Sequence, residues 1–337
     1  MAKNIALCFD GTWNTPESDD DGVRSPTNVW KLHERIREIP GAQTRWYDAG
    51  VGTEWYNRLR GGILGYGLSK NVKQGYARLA REYADGDRIF IFGFSRGAYT
   101  ARSLAGLVRK CWIPRVVDER VIDQAYAFYR RRDDGPDAPD VDAFRRAHGR
   151  AAEVHCVGVF DTVGALGIPG GFFKALDERF WAFHDTALSR IVRNAFHAVA
   201  IDENRPQYLA TLWDDKPVPG QTVEQRWFTG AHSNVGGGYA DTRLADLALE
   251  WMVERARGCG LDIAPRAQPM PADAYAGVLR DSYKEFLGWI YRLVSKRLWR
   301  EIPLQRYRNT LMTIADEAYR RRADPSLRYA PPNLPPR

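Results

Sequence analysis

The chain has 337 residues, 44% hydrophobic and 27% charged, which suits a globular protein large enough to bury its own core without disulfide support. A net charge of +7 permits attraction to anionic surfaces, but no motif of a nucleic-acid reader accompanies it, so nucleic acid is not expected as a partner. The four cysteines (Cys8, Cys111, Cys156 and Cys259) lack C-x-x-C spacing, which excludes a zinc knuckle or redox pair. No metal or other cofactor is expected.

Taken in chain order, Ile5 to Phe9 is an apolar run that predicts a first strand, followed by an acidic, turn-rich loop. "TNVWKLHERI" predicts a helix with Thr27 or Asn28 as its N-cap, and "TRWYDAGVGT" a second strand. The stretch around Gly61, Gly62, Gly65 and Gly67 is too glycine-rich to predict a stable helix and reads as a flap. After it, Val72, Tyr76, Leu79 and Tyr83 recur on one helical face. "DRIFIFGFS" is a buried strand that runs straight into the helix "RGAYTARSLAGLVRKC".

Residues 115–150 read as charged and mostly helical, and "EVHCVGVFDTVGALG" as another buried strand ending in a loop. "SRIVRNAFHAVAIDE" reads as a helix, "VEQRWFTGAHSNVGGGY" as a strand with a glycine-rich loop, and "LADLALEWMVERARGCG" as a helix ending near Gly258 or Gly260. "EFLGWIYRLVSKRLWREI" reads as a helix with a basic outer face that includes Lys296, Arg297 and Arg300, or as a lid at a membrane surface. The alternation of strand and helix predicts one α/β domain over 1–337, with a mainly parallel central sheet and helices on both faces. Lid-like helical insertions are expected at 54–70, 170–190 and 280–302. No leader and no apolar run of about eighteen residues is visible, so the default expectation is a cytoplasmic chain.

Gly93-Phe94-Ser95-Arg96-Gly97 matches the nucleophile elbow G-x-S-x-G, between a predicted strand and a predicted helix. That context predicts an α/β-hydrolase-like fold with Ser95 as nucleophile, Gly93 and Gly97 as the residues that allow the turn, and the Arg96 N–H as an oxyanion donor. A serine nucleophile needs a base and an orienting acid, in the chain order Ser, Asp or Glu, His. Asp161 follows a strand and is preferred over Asp202, Asp241 and Asp246. Among six histidines, His232 lies downstream on a glycine-rich loop, while His197 reads as a buried, satisfied residue. These residues predict a serine hydrolase that cleaves a carboxylic ester. The rival readings are a hydrolase fold kept only for binding, and a phosphatase built on Asp10-Gly11-Thr12.

The stretch "IALCFDGTWN" bears on that last rival. A phosphatase of the haloacid dehalogenase type would place its nucleophilic Asp at position 8, where this chain has Cys8. The loop after an early strand instead suits the second oxyanion donor, the N–H of Gly11 or Thr12 with Thr12 favoured, and Asp10 then shapes the loop.

In order along the chain, "CFDGTWN", "TNVWKL", "YDAGVGT", "GFSRGAYTAR", "VFDTVGALG", "HAVAIDENR", "WFTGAHSNVGGGY", "LADLALEWM" and "RYAPPNL" carry a resemblance to one family. It is the α/β-hydrolase family, a domain of unknown function, that includes the first class of type VI secretion lipase effectors. The resemblance covers Ile5 to Leu334 and implies a triad of Ser95, Asp161 and His232. It further implies a lipid ester as substrate and delivery by a dedicated secretion system, while the net charge permits peripheral contact with an anionic membrane.

Overall fold

A computed structural model describes residues 2–11, 14–50, 63–131, 137–163, 187–285 and 295–337. Seven parallel strands form the central sheet: β1 (Asn4–Phe9), β2 (Gln43–Asp48), β3 (Arg88–Phe94), β4 (Val154–Phe160), β5 (Val192–Ala200), β6 (Thr222–Phe228) and β7 (Leu311–Ile314). Their spatial order is β7-β6-β5-β4-β3-β1-β2. The register sets Cys8 beside Phe92, Gly93 beside Val159 and Val159 beside His197, so the C-terminal ends of β1, β3, β4 and β5 form one rim. In open parallel sheets, sites lie beyond such a rim.

Period-2 alternation assigns the strand side chains to two cores. Ile5, Leu7, Phe9, Ile89 and Ile91 face α2 (Ile63–Glu82) and α3 (Arg96–Cys111), meeting Val72, Tyr76, Leu79, Leu104 and Val108. Ala6, Cys8, Phe90 and Phe92 face the opposite layer, where α1 (Asn28–Arg35) brings Val29 and Leu32. The helix Arg243–Gly258, α7 below, adds Leu249 and Met252 there. The charged stretch forms α4 (Glu119–Arg130) and α5 (Pro139–His148), whose Ile122 and Phe144 join the first core. The remaining α-helices among the described residues are α6 (His232–Gly236), α7, α8 (Ser282–Glu285) and α9 (Asp316–Ala323). This is an α/β-hydrolase-like fold, with a parallel sheet between helical layers. No helix among the described residues is long and apolar enough to cross a membrane.

Three expectations are corrected. Residues 192–200 form strand β5, not a helix, because residues 195–200 are buried on both faces and so lack the alternation that tells a strand from a buried helix. Gly65 and Gly67 lie within α2, where packing of the helix against the sheet outweighs the propensity cost of glycine. Of the segment read as one late basic helix over 285–302, residues 295–302 are irregular rather than helical, and residues 286–294 lie outside the described residues. The strand β7 is not among the elements the sequence predicts. Of the expected insertions, residues 54–62, 170–186 and 286–294 lie outside the described residues.

Candidate active site

At the end of β3 the chain reverses into α3 through Ser95, which has φ 57° and ψ −120°. A positive φ at a non-glycine residue stores strain, and here it raises the half-buried side chain above the sheet rim. The turn closes only because its flanking residues lack a β-carbon. One at Gly93 would stand 2.3 Å from the Gly97 carbonyl oxygen, and one at Gly97 would stand 2.1 Å from the carbonyl oxygen of Phe9. Gly97→Ala is therefore expected to cost ~3 kcal/mol or more of stability, read as a fall in the thermal unfolding midpoint, since the obstacle is main chain that cannot rotate away.

On the neighbouring strand, Asp161 follows β4 directly and is also left-handed, with φ 37°. Its N–H donates to the Ala198 carbonyl at 2.7 Å, which fixes it against β5. The carboxylate is fully buried. Its Oδ1 accepts from the Ala200 N–H at 2.9 Å, and its Oδ2 lies 2.6 Å from His232 Nδ1. That partner makes Nδ1 the protonated nitrogen and leaves Nε2 as an acceptor. His232 is the first residue of α6, and its N–H donates to Glu203 Oε2 at 3.1 Å. The rings of Phe94 and Tyr208 hold the imidazole, with centroids at 4.6 Å and 5.2 Å. Since Phe94 immediately precedes Ser95, the imidazole packs on the elbow itself.

The loop after β1 approaches from the other side. A β-carbon at Gly11 would lie 3.3 Å from Ser95 Cβ. Buried Asp10 accepts from the Gly11 N–H at 2.7 Å, the Thr27 hydroxyl at 2.5 Å and the Tyr47 hydroxyl at 2.8 Å. Burial raises its pKa, and these donors oppose the shift. Thr27 also caps α1, accepting from the Trp30 N–H, so one hydroxyl ties the loop to the helix start. The Gly11 amide thus points at its own neighbour's carboxylate. Thr12 lies outside the described residues.

The other carboxylates considered for the acid are engaged elsewhere. Asp202 accepts from the Gly230 N–H and the Tyr329 hydroxyl, and burial pushes its pKa up to about 6. Asp241 bonds the Arg243 N–H at the start of α7, and Asp246 pairs with Lys31 and Arg266. His197, on β5 rather than a helix, is buried and accepts from the Thr162 N–H at 3.0 Å; burial lowers its pKa to about 3.

Two charged residues at this site went unread in the sequence. Glu203 is buried beneath His232 and is held by Arg205 and by the Ser282 hydroxyl. It belongs to "DENR", a cluster visible in the sequence but silent about its target. Arg300, expected on a basic outer face, is 3% exposed and contacts both oxygens of Asp161, at 2.6 Å and 3.0 Å. Burial pushes the Asp161 carboxyl up, but Arg300 and His232 outweigh it and hold the pKa below the usual carboxylate range. Among the described residues, no three His, Cys, Asp or Glu side chains are grouped to hold a metal ion.

Residues 3–255 match the family model described as the catalytic domain of type VI secretion system phospholipase effectors, Tle1-like. That match supports a hydrolase of the lipase or esterase type. The chain is 29% identical over 240 residues to the uncharacterised protein YEL023C of Saccharomyces cerevisiae, covering 64% of this chain and 33% of the yeast protein. Among solved structures, an uncharacterised Pseudomonas aeruginosa protein is similar at 19% identity and TM-score 0.49, over 82% of this chain and 48% of that one. The Tle1 effector bound to the VgrG spike is similar at 21% identity and TM-score 0.44, over 71% of this chain and 51% of that one. The chain thus spans about a third of the yeast relative and about half of these two structures.

Proposed function

The chain belongs to the Tle1-like catalytic-domain family of type VI secretion phospholipase effectors, and from that premise we propose that it is a serine hydrolase that cleaves carboxylic esters, phospholipid esters among them, through an acyl-enzyme on Ser95. The observation that carries this reading is the 2.6 Å contact between Asp161 Oδ2 and His232 Nδ1, with the imidazole packed on Phe94 at the elbow. His232 Nε2 takes the Ser95 proton as Oγ attacks the ester carbonyl, and Asp161 stabilises the imidazolium that results. The oxyanion is held by the Arg96 N–H at the start of α3 and by a second amide from the loop after β1. Because the Gly11 amide is turned to Asp10, that second role falls to Thr12. His232 returns the proton to the leaving alcohol, then activates the water that releases the acid and restores Ser95.

A lipid substrate is supported by apolar surface close to the histidine. Leu209 is 51% exposed and follows Tyr208, which touches His232; Leu298 and Trp299 are 39% and 37% exposed and precede Arg300. With a net charge of +7, this surface suits an anionic membrane, and family membership supports delivery by a secretion system. The test compares p-nitrophenyl esters of increasing chain length with phospholipids in neutral and anionic mixed micelles. Faster turnover at the anionic micelle surface is the expected result. Folded protein that binds micelles but hydrolyses no ester would favour the binding-only reading.

A further inference from the structure

Arg300 lies beyond the part of the chain that matches the family model, on an irregular segment that reaches back across the sheet rim. That segment is fastened at several points. The Leu298 N–H donates to the Asn204 carbonyl at 2.9 Å, and Asn333 Nδ2 donates to the Arg300 carbonyl at 3.0 Å. The guanidinium itself donates to the Ala200 carbonyl at 2.9 Å and to the Tyr208 carbonyl. Four contacts therefore surround the Asp161 carboxylate: the Ala200 N–H and one Arg300 nitrogen at Oδ1, His232 and the second Arg300 nitrogen at Oδ2.

Resting on the serine-hydrolase reading above, we infer that Arg300 is a positioning residue for the reaction, acting through Asp161: its planar fork fixes the carboxylate rotamer that presents Oδ2 to His232 and partly neutralises the charge which the imidazole experiences. A single charge centre such as lysine could not grip both oxygens at once. Neutralisation has a defined sign. A carboxylate relieved of Arg300 stabilises the positive charge that develops on the imidazole more strongly, so the acid limb of the rate profile moves to higher pH.

Among the described residues, the other charged or titratable groups facing this pair are few. Glu203, at the His232 N–H, is already paired with Arg205. His197 lies near Asp161 and is kept neutral by burial, with Arg102 beside it. Asp202 senses Arg300 from the turn after β5. Tyr208 packs on the imidazole ring. None of these bridges both Asp161 oxygens.

The experiment measures kcat/KM against pH for the full chain, with Arg300→Met and Arg300→Lys beside the unaltered protein. Arg300→Met should move the acid limb upward by about one unit or more. It should also lower the plateau by roughly 10-fold or more, the scale expected when an orienting partner is lost. Arg300→Lys should place the limb between the two. A limb that stays in place or moves down in folded Arg300→Met overturns the proposal. If only Arg300→Lys folds, a limb unmoved in that variant overturns it equally. Failure of both variants to fold assigns Arg300 a purely structural role and also overturns it. Ser95→Ala separates this from the underlying reading: turnover that survives Ser95→Ala overturns both, whereas turnover lost there with an unmoved Arg300→Met limb overturns the positioning role alone.

Discussion

Ser95→Ala is expected to lower ester turnover by about 10⁴-fold or more while leaving the protein folded. In the proposed mechanism the hydroxyl oxygen forms the acyl bond, and without it only the oxyanion donors and substrate binding remain to assist water. The fold should tolerate the change because Ser95 is half-buried and alanine meets the same φ of 57° at similar strain. The thermal midpoint should therefore shift by only a few degrees, on the order of 1 kcal/mol. Initial rates on a p-nitrophenyl ester, read beside a melting curve, check both halves of this expectation.

Asp161→Asn should produce two large effects at once. Turnover should fall by about 10⁴-fold, since an amide facing Nδ1 favours the wrong imidazole tautomer and cannot offset the imidazolium charge. Stability should fall by ~3–5 kcal/mol, because Arg300 is left buried without its counter-charge. The pH dependence separates this loss from a simple packing defect. The folded pKa of Asp161 is depressed, so its contribution to stability is present above the ordinary carboxylate value of about 4 and is lost as pH falls below it. In the variant that part of the acid limb should vanish. Denaturant midpoints between pH 3 and pH 7 measure it, and a variant with the same acid limb as the unaltered protein would contradict the assignment.

Some of this was readable from residue order because local constraint and chemistry coincided. The elbow needs two glycines about a nucleophile at the end of a buried strand, so Gly93, Ser95 and Gly97 announce their backbone geometry as well as their position. Asp161 and His232 were reachable because parallel sheets collect the residues that follow their strands on one rim. The strand β5 was read as a helix because burial on both faces erased the alternation that marks a strand. Glu203 and Arg300 were not readable as site residues for a different reason. Each is a charged side chain whose burial depends on a partner far along the chain, with Arg300 and Asp161 separated by 139 residues. A basic residue among aromatic ones carries the same local signature on a solvated helix as it does clamped to a buried carboxylate. Asp10 shows the converse case. Its Asp-Gly-Thr setting suggests chemistry, yet its carboxylate is taken up by one amide and two hydroxyls that shape the loop beside Ser95.

The claim on which the rest depends is that His232 activates Ser95, and covalent labelling tests it without any assumption about the substrate. Folded protein treated with a fluorophosphonate probe and mapped by peptide mass spectrometry should carry one adduct, on Ser95. Labelling should be absent in Ser95→Ala and strongly slowed in His232→Ala. An unlabelled Ser95, or an adduct that forms on it equally fast without His232, would contradict the account.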